Sequence, residues 1–156
     1  MHPHVHLAMA LSIGCLLNLQ LEQMFIFVTS STLIDLDILI SPLTREKNHR
    51  LLPSHWISVW GSIVFVGFLF TPIFWIGLGG LLHVALDLPD WGIPALAPIT
   101  MKLSPHLLPD PPQDGTYSQK WFIKRYYENK IIAGAEILSI VLLIGILLAH
   151  LWAVPK

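Results

Sequence analysis

A chain of 156 residues with 54% hydrophobic and only 12% charged residues, and a mean hydropathy of +0.64, lies outside the soluble range and reads as one integral membrane domain spanning 1–156. Its net charge of -1 excludes a nucleic-acid binder, which needs a basic excess to neutralise phosphates. The one cysteine, Cys15, excludes an intramolecular disulfide and a multi-thiolate metal site.

Any metal therefore falls to His, Asp and Glu, and eight histidines against nine Lys plus Arg is the composition figure that favours one. The chain starts Met-His-Pro-His-Val-His, with no Lys or Arg ahead of its first apolar run, which speaks against a cleaved signal peptide. That run, Leu7 to Leu19, is short for a membrane span, which takes about 20 residues. Asn18, Gln20, Glu22 and Gln23 interrupt it. A second run, Met24 to Ile40, carries Asp35 and Asp37 at its end, and carboxylates so close to hydrocarbon should face protein, water or a cation.

The loop Ser41 to Ser54 holds Arg45, Lys47, His49 and Arg50, and Ser54 is placed to cap the helix predicted to follow it. The third run, Trp56 to Phe70, ends at Thr71-Pro72, where proline marks a turn or kink. In the fourth, Ile73 to Leu88, Gly77, Gly79 and Gly80 permit close helix approach. Seven of the 12 prolines fall between Pro89 and Pro112 and argue against a helix there. Tyr117 to Lys130 interleaves aromatic and basic residues, as a segment at headgroup level does. The last run, Ile131 to Val154, is the clearest transmembrane helix, with Glu136 as its one acid.

Five segments put the N-terminus and both long loops on one side. That side receives eight of the nine basic residues, with Lys156 opposite, so it is the cytoplasmic side. His6, Asp35, Asp37, His49, His55, His83 and Asp87 come to the same side. Glu136, one to two turns into the last helix, is within reach of them. His83 and Asp87 are four apart and share a helix face, where they can offer a nitrogen and an oxygen to one ion. Asp35 and Asp37 do not share a face. One of them is expected to ligate while the other caps a helix or orients a ligand. Arg50 suits an anionic substrate through its planar fork, with Asp35, Asp37 or lipid phosphate as alternative partners. Of the alternating His2, His4 and His6, only His6 abuts the first helix and it ranks above the other two; His106 and His150 are expected to be incidental, and Glu22 and Glu46 to be solvated.

The order Asp35-Leu-Asp37, His49-Arg50, His55, His83-x-x-x-Asp87, with His6 before it and Gly92 and Pro94 after it, resembles the family of membrane-bound metal-dependent hydrolases typified by YdjM-like bacterial inner-membrane proteins. The likeness covers His6 to Pro98, and Glu136 matches a Glu in that family's last helix. Two features depart from it: Ile34 stands where the family has Pro, and the block from His49 to His55 is one residue longer. The ligand order is also similar to that of the zinc-dependent phospholipase C and P1 nuclease group. The resemblance implies an all-α membrane bundle binding one or two divalent ions, zinc first. His6, Asp35, His49, His55, His83, Asp87 and Glu136 would be ligands, Arg50 and Asp37 would serve catalysis, and a lipid or phosphoester would be the substrate. The alternative expectation is a metal-binding membrane protein without catalysis, a sensor or transporter.

Overall fold

The computed structural model describes residues 2–39, 49–90, 92–109 and 119–153. Regular structure among them is all helical. Helix α1, Pro3–Leu16, starts with a proline where a missing N–H costs nothing. It stops at Asn18, whose φ of 52° is one that Asn tolerates better than most residues. The polar interruption then starts α2, Leu21–Leu33, where the Gln23 side chain accepts from the Gln20 backbone N–H at 3.1 Å. The chain tightens into a 3₁₀ stretch, Ile34–Leu39, which carries Asp35 and Asp37.

Two further 3₁₀ turns, His49–Leu51 and Pro53–His55, lead into α3, Ile57–Gly67. Ser54 does not cap it. The turn at Pro53 delays the helix until after Trp56, which is extended, and the Ser54 hydroxyl instead donates to Asp37. Helix α4, Thr71–Asp87, has Pro72 in its first turn, so Thr71-Pro72 begins a helix and does not kink one. From 88 to 90 and from 92 to 109 the chain forms no regular helix, as its prolines require. It folds back on itself through Leu107 N–H to Pro89 O and Leu108 N–H to Asp90 O, both 2.9 Å. Two helices complete the fold, α5, Gln119–Glu128, and α6, Lys130–Ala153. Asn129 separates them, its side chain accepting from the N–H groups of Ile131 and Ile132 at the start of α6, as an N-cap does.

Helix α4 packs on α2 and α3, while α1 packs on α2 and α6. The expected small-residue contacts are present. Gly79 lies against the Phe27 carbonyl and Ser30 of α2, and Gly80 lies against the Trp60 ring of α3. Among the described helices only α6 is long and apolar enough to cross a membrane. The polar break after Leu16, the 3₁₀ stretch after Leu33 and the turn at 68–70 divide the other apolar runs. Their helices have 11 to 17 residues, roughly 16 to 26 Å at 1.5 Å per residue, against about 30 Å of hydrocarbon. Only 17% of the α6 span is buried, whereas the core helix of a soluble domain is mostly covered.

A Gly79→Leu change should force α2 and α4 apart and destabilise the fold by about 1–3 kcal/mol. At Gly61, where a Cβ meets nothing within 4 Å, Ala should be neutral or stabilising. Thermal unfolding of both variants in detergent measures the contrast, and equal midpoints would contradict it.

Candidate metal centre

Three elements bring four potential ligands to one end of the helix packing. Asp35 comes from the 3₁₀ stretch after α2, His55 from the turn before α3, and His83 and Asp87 from the last turns of α4. One ligand atom from each of the four lies within 4.8 Å of all the others. The two Nε2 atoms of His55 and His83 are 3.4 Å apart. Asp35 Oδ1 is 3.5 Å from His83 Nε2 and 3.7 Å from His55 Nε2. Asp87 Oδ2 is 3.4 Å and 3.5 Å from the same two nitrogens. Tetrahedral ligands at 2.0–2.1 Å, the zinc distance, stand about 3.3–3.4 Å from each other. The donor set thus fits a small divalent ion in chemistry and in spacing.

The imidazoles are held from behind in the orientation such an ion needs. His83 Nδ1 lies 2.8 Å from the Ser31 carbonyl. A carbonyl only accepts, so Nδ1 carries a hydrogen and Nε2 is the nitrogen turned to the cluster. His55 Nδ1 lies 3.2 Å from Asp37 Oδ2, the carboxylate–imidazole arrangement that fixes a metal-binding histidine. Of the two acids, Asp35 therefore faces the cluster, while Asp37 orients His55 and accepts from Ser54. Burial acts to lower the His55 pKa, but the carboxylates of Asp35, Asp37 and Asp87 outweigh it and raise it to about 10.

Arg50 closes its fork on Asp90, at 2.7 and 3.3 Å, with Nη1 3.9 Å from Asp87 Oδ2. Burial disfavours its charge, and Asp87 and Asp90 more than restore it. The sequence does not single out Asp90 as a partner for Arg50, although Asp87-Leu-Pro-Asp90 sets it three residues beyond a candidate ligand.

His6, fully buried, lies beside the cluster, 3.3 Å from Asp87 Oδ1. The His49 side chain lies outside the described residues, as do Arg45, Glu46 and Lys47. Glu136 belongs to a different group. His2 Nδ1 is 2.7 Å and His4 Nε2 3.7 Å from Glu136 Oε1, and the Tyr126 hydroxyl donates to it at 2.8 Å. The two histidines ranked below His6 are what meets the acid of α6, and His2–Glu136 ties the start of α1 to it. Nothing in the sequence signals the Ser31 carbonyl. Comparison with protein families, curated proteins and solved structures finds no match to this chain.

Asp37→Asn should keep the fold but weaken metal affinity about 10- to 100-fold, the usual effect of losing a ligand's outer partner; competition with a chromophoric chelator reads it, and an unchanged affinity removes Asp37 from this role. Arg50→Ala leaves buried carboxylates without their counter-charge and should cost about 3–5 kcal/mol, with Lys restoring only part because it lacks the fork. Urea unfolding midpoints of the two variants decide this, and a loss under 1 kcal/mol would be too small for a buried pair.

Proposed function

We propose that this chain is a membrane-embedded, metal-dependent hydrolase acting on a lipid or phosphoester at the cytoplasmic face, of the kind its motif order resembles. The observation that carries the reading is the close approach of ligand atoms from Asp35, His55, His83 and Asp87, all within 4.8 Å of one another and all buried except Asp35, whose side chain is 21% exposed. When bound there, a divalent ion such as zinc lowers the pKa of a water molecule and polarises a scissile carbonyl or phosphoryl group. The chain's own residues do the rest. Ser31 and Asp37 hold the two imidazoles from behind, and Arg50, positioned by Asp90, favours the ionised form of Asp87. The half-open side of Asp35 is the approach for water and substrate.

The membrane part of the proposal rests on the apolar, mostly exposed α6 and on the turn Phe68-Leu69-Phe70, whose three large side chains are all exposed where a soluble protein would carry polar residues. We place α6 across the bilayer and the shorter helices within it, the N-terminus on the cytoplasmic side with the basic loops. A second reading, a metal-binding protein without catalysis, is favoured by one observation: four protein ligands complete a tetrahedron, and a catalytic site keeps a position open.

The test is turnover. The protein in detergent, loaded with zinc or manganese, is screened on phosphoesters, phospholipids and acyl esters beside His83→Ala. The expected result is hydrolysis that His83→Ala loses together with its metal. No substrate turned over above the His83→Ala background would favour the passive binder.

A further inference from the structure

The four-ligand set uses one oxygen of each carboxylate, and the other two oxygens face a different residue. Asp35 Oδ2 lies 3.9 Å from His6 Nε2, and Asp87 Oδ1 lies 3.3 Å from the same atom. His6 is 0% exposed, and neither of its ring nitrogens makes a hydrogen bond. Leaving such groups unsatisfied in a protein interior costs about 1–3 kcal/mol each. Its ring stacks on that of His83, centroids 4.0 Å apart and 19° from parallel, an arrangement that suits two neutral imidazoles and repels two charged ones.

We propose that a second divalent ion binds beside the first, with Asp35 and Asp87 bridging the two ions through opposite oxygens and His6 supplying the second ion's nitrogen. Bridging carboxylates suit two-metal sites with ions about 3.5–4 Å apart. The assignment rests on the metal reading of the four-ligand cluster and resolves its difficulty as a catalyst. The first ion is closed by four protein atoms. The second has three, His6 Nε2, Asp35 Oδ2 and Asp87 Oδ1, and so keeps the open position that hydrolysis requires. Asp35, the one ligand of the cluster that is not fully buried, belongs to both ions, so solvent reaches the pair at the carboxylate they share.

The experiment loads the full chain in detergent with Mn²⁺, counts metal per chain and records the electron paramagnetic resonance spectrum. Two ions per chain and an exchange-coupled spectrum are expected for the wild type. His6→Ala and His6→Gln, the second retaining a polar side chain in the cavity, should hold one ion with the six-line signal of isolated Mn²⁺. A single uncoupled ion in the wild type overturns the proposal whatever the variants do, and so does a coupled pair that survives His6→Gln. The hydrolase reading fails separately: two coupled ions with no substrate hydrolysed leave the pair standing and sink the enzyme. Hydrolysis by a one-ion wild type, unchanged in His6→Gln, does the reverse.

Discussion

The interior of this protein is organised by the mutual compensation of buried charge. Asp87, Asp90, His6, His55 and His83 are all fully buried and Arg50 nearly so. Each ionised group alone would cost several kcal/mol to bury. They are tolerable only as a set in which Arg50 answers Asp90 and Asp87, and the imidazoles answer the remaining carboxylate oxygens. That requirement fixes where the helices end. Helix α2 must stop so that Asp35 and Asp37 leave it together, and α4 must reach its last turn where His83 and Asp87 meet the loop before α3.

Close backbone packing serves the same end. The glycines of α4 let it approach α2 and α3 closely enough for side chains as short as Asp35 and His83 to share a volume of a few ångströms. The site's geometry thus depends on contacts one and two turns away from it, at Gly79 and Gly80, where no chemistry occurs.

Much of this was legible in the residues. Helical spacing joined His83 to Asp87, the helix-end position of Asp35 and Asp37 marked them as facing something other than lipid, and His6 stood at the right end of the first helix. Hydropathy overstated the spans because it counts apolar residues and is blind to whether they remain in one helix. Leu36 and Leu39 read as a continuation of α2 but lie in the 3₁₀ stretch that turns Asp35 inward. Glu136 was joined to the wrong histidines because its depth along α6 could be counted, whereas the side from which α1 approaches could not. Arg50 illustrates a similar limit: a guanidinium beside a cluster of ligands has several suitable anions in the sequence, and only the fold-back of 88–109 selects Asp90.

Helix α6 packs chiefly on α1 and α5, and its acid is gripped by His2 and His4 at the start of α1. Four residues after His2, on the same helix, His6 enters the metal cluster. Helix α1 thereby ties the long apolar helix to the ligand cluster, its two ends of contact lying within about one helical turn of each other.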